Sequence, residues 1–182
     1  MFKSSLIALS LTIGLGATSA FAGMMVGGAE MFAAKNIIEN AVNSKDHTTL
    51  VAAVTAAGLV ETLQGAGPFT VFAPTNDAFG ALPVGTVDGL LKPEAKATLT
   101  KVLTCHVIAA NAMSDAVMKM VDDDGGMHKV KTVGGCELTL KYKDGKVMVE
   151  DETGGIATVT IADVAQSNGV IHVIDKVLLP KM

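Results

Sequence analysis

Gly67-Pro-Phe-Thr-Val-Phe-Ala-Pro-Thr-Asn-Asp-Ala-Phe79 runs a turn, a short strand and a helix start into one another. Pro68 closes the turn that Gly65-Ala66-Gly67 begins. Phe69, Val71 and Ala73 then alternate with Thr70 and Phe72, a period-two pattern rich in β-formers. Pro74 stops the strand, because proline has no N–H to offer a neighbouring strand. Thr75 is placed to cap a helix, and Asp77 in its first turn sets a carboxylate at the positive end of the helix dipole. No catalytic pattern is visible in the stretch, which reads as part of a folding core.

Outward from it, helical patterns precede and strands follow. Ile37, Ile38, Ala41 and Val42 form one amphipathic stripe. Leu50, Val51, Val54 and Ala57 form a second, capped by Asp46 or Thr48 and ended by Gly58. Leu59 to Leu63 adds one short turn. Beyond Leu82, Pro93 opens a helix whose buried face is Leu99, Val102 and Leu103. Cys105 to Ile108 shifts toward a strand. A short helix over Ser114–Met120 runs into the turn signal Asp122-Asp-Asp-Gly-Gly126. From His128 strands dominate, with Lys143-Asp-Gly145 as a hairpin turn and Val170 to Leu179 as a long last strand stopped by Pro180. Helices first and strands last predict an α+β fold rather than alternating α/β.

The N-terminus reads as an export signal. Lys3 precedes the apolar run Leu6–Ala17, too short for a comfortable membrane span, and Ala20-Phe-Ala22 fits a small-x-small cleavage site. Residues 1–22 are expected to be removed after Ala22, residues 23–33 to form a flexible, glycine- and methionine-bearing leader, and residues 34–182 to fold as one domain. No later apolar stretch is long enough to span a bilayer. A secreted or periplasmic location follows.

With Lys3 removed, 13 lysines face 18 acids, and the chain has no arginine, no tryptophan and one tyrosine, Tyr142. Without guanidinium forks or stacking platforms, nucleic acid is not an expected partner. The acidic balance also disfavours attraction to anionic lipid. Cys105 and Cys136 are the two cysteines, and in an oxidising compartment they are expected to pair. The alternative is two buried thiols packed as small hydrophobes.

Three separated segments carry a family likeness. Gly67–Phe79 resembles the first signature of the fasciclin (FAS1) domain, and Asn168-Gly-Val-Ile-His-Val-Ile-Asp-Lys-Val-Leu-Leu-Pro180 resembles its second. His106 sits where that family has a central Tyr-His pair, with Cys105 in place of the tyrosine. The likeness spans about Ala34 to Pro180. It implies mixed β-sheets with several helices packed along one side, and a non-enzymatic role in adhesion or protein–protein contact at a cell surface. It marks Thr75, Asn76, Asp77, His106, Asn168, Gly169, His172 and Asp175 as signature residues. Ile161-Ala-Asp-Val164 resembles an Asp-Ile element that carries partner contacts in animal members, so Asp163 and Val164 are candidate contacts here. Tyrosine-dependent adhesion does not carry over to Cys105.

The residues themselves point away from an enzyme. Cys105 and His106 are neighbours that a strand would turn to opposite faces. Past the signal, Ser44, Ser114 and Ser167 are the serines, and none lies in a Gly-x-Ser-x-Gly elbow. His106 and His172 lie among apolar residues, where a ring hydrogen-bonded to backbone is the expected reading and a proton switch the alternative. Asp175 is likewise expected to satisfy local donors. No cofactor is implied. Two alternatives stay open: Met113, Met118, Met120, Met127 and His128 supply soft ligands for copper, and the same methionine-bearing segment, 113–127, could form a groove for an apolar ligand or lipid. The acids Asp122–Asp124 lack the alternate spacing of a calcium loop.

Overall fold

The computed structural model describes residues 23–181. At its centre, strand β3 (Phe69–Pro74) lies parallel to β9 (Gly169–Ile174), with Phe69 opposite Gly169 and Pro74 opposite Ile174. The two signature segments are therefore hydrogen-bonded neighbours. Around them a seven-stranded sheet runs in the order β4 (Val107–Ile108), β3, β9, β8 (Ile156–Gln166), β7 (Lys146–Glu150), β6 (Glu137–Lys143), β5 (Met127–Lys131), all other neighbours being antiparallel.

The period-two pattern of β3 does not divide inside from outside, as a half-exposed strand would. Both faces are buried. Val71 and Ala73, with Ile171 and Val173 of β9, pack into one hydrophobic cluster; Phe72 and Ile174 pack into another. The helices explain this. α1 (Ile37–Ala41), α2 (Thr48–Ala57), α3 (Val60–Gln64), α4 (Asn76–Gly80), α5 (Thr86–Leu90) and α6 (Lys96–Thr104) bring their apolar residues to the first cluster. α7 (Ser114–Asp123) presses Val117 and Val121 into the second, against Leu138, Leu140 and Val149. Strand β8 links the two halves: its first residues pair with β7, its last with β9, and two register shifts between Val159 and Val164 bend it in between.

Local signals were read correctly at several ends. The Thr75 side chain accepts from the Ala78 N–H at 3.2 Å, capping α4. α2 stops at Gly58 with φ 74°, as expected, and buries Leu50, Ala53, Val54 and Ala57, an i, i+3, i+4, i+7 stripe in which Ala53 takes the inward place expected of Val51. Neither Asp46 nor Thr48 caps it, the Thr49 N–H being met by Asn76 instead. Cys105 and Cys136 are joined by a disulfide, Cα atoms 5.4 Å apart, tying the end of α6 to the start of β6.

Other expectations need correction. Residues 23–33 are not a loose leader throughout: β1 (Met24–Val26) and β2 (Ala29–Met31) form a hairpin that buries Val26 and Met31 in the first cluster. Cys105 and His106 follow α6 directly and precede the strand, so strand alternation does not govern where they point. α7 continues to Asp123 because Val121 reaches the core. The final strand ends at Ile174, with the Asp175 N–H still bonded to the Thr158 carbonyl of β8, and the chain beyond Asp175 is held at Leu178 and Leu179 by side chains rather than by a strand partner. The expected signal, residues 1–22, lies outside the described residues.

Candidate functional site

The signature residues converge on the junction between the central strands and what surrounds them. His106 is 2% exposed. Its Nε2 accepts the Leu178 N–H at 2.8 Å, so Nδ1 carries the proton and donates to the Val102 carbonyl at 2.8 Å. Burial drives its pKa down to about 4, against opposing pulls from the Val102 carbonyl and the Asp151 carboxylate. His172 takes the other tautomer. Its Nδ1 accepts the Asp163 N–H at 3.2 Å and its Nε2 donates to the Ala112 carbonyl at 2.8 Å; burial again lowers its pKa, opposed by the Ala112 carbonyl and Asp163. Each ring meets one donor and one acceptor, which only a neutral imidazole satisfies.

Asn168 sits at the turn between β8 and β9. Its Oδ1 accepts the Ile37 N–H at 3.1 Å, and its Nδ2 donates to the Leu63 and Gly65 carbonyls, both at 2.8 Å. It thereby fastens the start of α1 and the end of α3 to the sheet. Gly169 next to it lets Phe69 approach: a Cβ there would lie 2.0 Å from the Phe69 carbonyl oxygen. Asn76 caps a helix other than its own, its Oδ1 accepting the Thr49 N–H of α2 at 3.0 Å and its Nδ2 donating to the Lys45 carbonyl at 2.8 Å. Asp175 accepts the Thr158 N–H at 2.7 Å. Asp77 is exposed at the first turn of α4.

The candidate contact pair is not a surface pair. Val164 is 1% exposed and belongs to the first hydrophobic cluster, because the register shifts in β8 turn it inward. Asp163 is half-buried at φ 60°, and its carboxylate caps α7: Oδ1 accepts the Ser114 N–H at 2.7 Å and Oδ2 accepts the Ser114 hydroxyl. This brings Ser114, Asp163 and His172 together, but not as a nucleophilic triad. The serine hydroxyl bonds the carboxylate, and the imidazole bonds backbone on both sides, so no base faces the nucleophile.

Met113, Met118 and Met120 are half-buried, with Met120 packed on the second cluster, and Met127 is exposed. His128 Nδ1 lies 2.6 Å from Asp124 Oδ2. Among the described residues no three His, Cys, Asp or Glu side chains gather as a metal-ligand group. Nor is any described helix long and apolar enough to cross a membrane.

Two polar joints were not anticipated. Asp151, 7% exposed, accepts three donors from Thr153 and Gly155 through Oδ1 and the Leu179 N–H through Oδ2 at 2.9 Å. The composition Asp-Glu-Thr-Gly-Gly155 is an Asx-turn signal that points to it. Asn40 exchanges hydrogen bonds with the Phe32 backbone and donates to the Gln166 side chain. That pairing joins positions far apart in the chain and leaves no local signal.

The Fasciclin domain family model matches residues 45–180. Protein sll1483 of Synechocystis sp. is 52% identical over 149 residues, 82% of this chain and 76% of that protein. Cell surface glycolipoprotein MPB83 of Mycobacterium bovis is 38% identical over 122 residues, 67% of this chain and 48% of that protein. Among solved structures, the FAS1 domain pair of the insect cell adhesion molecule Fasciclin I superposes with a TM-score of 0.71 at 16% identity, covering 80% of this chain and 51% of the pair. The chain thus spans about half the length of the last two.

Proposed function

The chain belongs to the fasciclin domain family, and on that footing we propose that it is an exported, non-enzymatic interaction module mediating adhesion or protein–protein contact at the cell surface or outside it. The observation that carries this reading is the use made of the polar side chains. His106, His172, Asn168, Asp163 and Ser114 are hydrogen-bonded to backbone or to one another, joining strands, helices and the C-terminal segment. Such a scaffold presents surface and loops to a partner. A relative named as a cell surface glycolipoprotein and a structural neighbour from a cell adhesion molecule lend support.

Cleavage after Ala22 would release a mature chain beginning at Gly23, with residues 34–182 as its FAS1 unit. We assign the contact surface to the recess on the outer sheet face lined by Asp124, Met127, Lys129, Thr139, Lys141 and Glu150, where Met127 is 55% exposed within a charged rim. The test is attachment of a deletion strain to surfaces and to neighbouring cells, complemented with the native gene or with Met127→Glu. Loss of attachment, restored by the native gene and not by a folded M127E protein, supports the reading. Unchanged attachment in the deletion strain overturns it. N-terminal sequencing of the envelope form that begins anywhere but Gly23 overturns the processing site.

A further inference from the structure

The β1–β2 hairpin is fastened at three places. Its turn rests on the segment after α1: the Gly27 carbonyl accepts the Lys45 N–H at 3.1 Å, and a Cβ on Gly27 would lie 2.2 Å from Ser44 Oγ. Where β2 leaves, the Asn40 side chain accepts the Phe32 N–H at 3.0 Å and donates to the Phe32 carbonyl at 2.8 Å. The open end of β1 is held differently. There the Gly23 nitrogen donates to Glu30 Oε1 at 2.7 Å, at the surface. Glu30 stands opposite Met25 in the hairpin register, and Gly23 lies two residues before Met25, so the two meet diagonally on one face.

Gly23 is also the residue that the expected cleavage after Ala22 makes the first of the chain. Hydrolysis of the Ala22–Gly23 amide adds one water across the bond. Ala22 departs with a carboxylate, and the Gly23 nitrogen remains as an amine. An α-amino group ordinarily has a pKa of about 8, so at neutral pH it takes a proton and becomes an ammonium. The hydrogen bond to the Glu30 carboxylate thereby gains an opposite charge. The cleavage pattern asks for small residues at Ala20 and Ala22, before the bond, and sets no requirement after it. The fold does. A Cβ at position 23 would lie 2.1 Å from the Met31 carbonyl oxygen, so only glycine brings this nitrogen to Glu30 without moving β2.

We propose that removal of residues 1–22 completes the hairpin: the new Gly23 ammonium pairs with Glu30 and clamps β1 to β2 over Val26 and Met31 of the first cluster. This rests on the processing site proposed above and is independent of the adhesive surface. The effect is local. β1 has β2 as its one strand partner, so its free end is the part of the hairpin that a single ion pair governs. An uncleaved chain has the amide without the charge, and its hairpin opens more readily. The hairpin precedes residues 45–180, so the clamp belongs to a segment outside the matched family region.

The test compares the chain beginning at Gly23 with one that keeps Phe21-Ala22, each with Glu30 and with Glu30→Gln. Glutamine retains an oxygen to accept the N–H and loses only the charge. Amide hydrogen exchange in the hairpin is the readout, because it reports local opening. In the chain beginning at Gly23, Glu30→Gln should lower hairpin protection about threefold, the scale of an exposed ion pair. In the longer chain, whose ammonium lies two residues away, the same substitution should lower it no more than about 1.5-fold. Gly23→Ala should abolish the difference between the two chains. Equal losses in both chains, no loss in the chain beginning at Gly23, or a threefold loss that survives Gly23→Ala would each overturn the clamp. A native N-terminus at any residue but Gly23 would overturn its trigger.

Discussion

His106 and His47 are almost equally hidden, 2% and 3% exposed, and both border the same apolar space, yet they are bonded differently. His106 lies where α6, the central strands and the C-terminal segment meet, and both its nitrogens are bonded to backbone. His47 lies under the N-terminal hairpin with Nδ1 2.8 Å from the Ser44 hydroxyl and Nε2 buried without a hydrogen-bond partner among the described residues. Burial alone therefore does not tell how firmly a histidine is tied into the fold. Satisfaction of both nitrogens does.

The comparison breaks most plainly at His106→Ala. Removing the ring orphans the Leu178 N–H and the Val102 carbonyl in a buried place and leaves a void, so unfolding free energy should fall by about 4 kcal/mol. Urea denaturation measures it. A loss no greater than that of an exposed alanine substitution would show that the C-terminal segment does not depend on the ring.

The disulfide sharpens the same side of the comparison, because Cys105 adjoins His106. Cys105 and Cys136 are 31 residues apart, for which the chain-entropy account gives roughly 3–4 kcal/mol. Replacing both with alanine should cost about that much, and mass measurement of the native chain without reductant should find no free thiol. Two free thiols would remove the link between α6 and β6.

Acid tests the neutral state directly. The folded pKa of His106, about 4, lies below the ordinary value of 6.5, so the unfolded chain takes up the proton first. The stability that depends on the neutral ring is complete above pH 6.5 and is lost as pH falls toward 4, by about 3 kcal/mol in total. His172, lowered in the same direction, adds to the slope. In His106→Gln the slope between pH 6.5 and 5, before carboxylates titrate heavily, should shrink. An unchanged slope would assign the acid sensitivity elsewhere.

What the sequence revealed of these two regions follows from the range of the interactions. The strand-to-helix switch at Pro74-Thr75, the α2 stripe with Gly58 and the pairing of two cysteines all rest on local or compositional signals. So does the reading of His106 and His172 as rings bonded to backbone. The partners of those rings could not be read, because Leu178 lies 72 residues from His106 and Ala112 lies 60 from His172. Val164 was marked as a contact by its resemblance to an Asp-Ile element, whereas β8 shifts register just before it and the residue lies in the core. The hairpin went unseen since three-residue strands show no period, and the last strand was drawn too long because Val177 and Leu178 are apolar for the core, not for a ladder. The apolar space that both rings border had no sequence signal at all.

The smallest effect belongs to His47, and it decides whether the contrast is about bonding or only about position. His47→Phe keeps a ring of similar shape and removes the unpaired Nε2, but leaves the Ser44 hydroxyl, 2% exposed at the residue level, without its partner. The single change should cost about 1 kcal/mol, the penalty of one buried hydroxyl made lonely. Adding Ser44→Ala removes the second partner, and deleting both ends of a buried hydrogen bond is close to neutral. The double variant should therefore return to within about 0.5 kcal/mol of the native chain. The matching change at His106 has no such remedy, since its partners are backbone groups that no substitution can delete. A double variant at positions 44 and 47 as unstable as His106→Ala would mean that the hairpin region is as firmly joined as the sheet junction, and the difference between the two histidines would vanish.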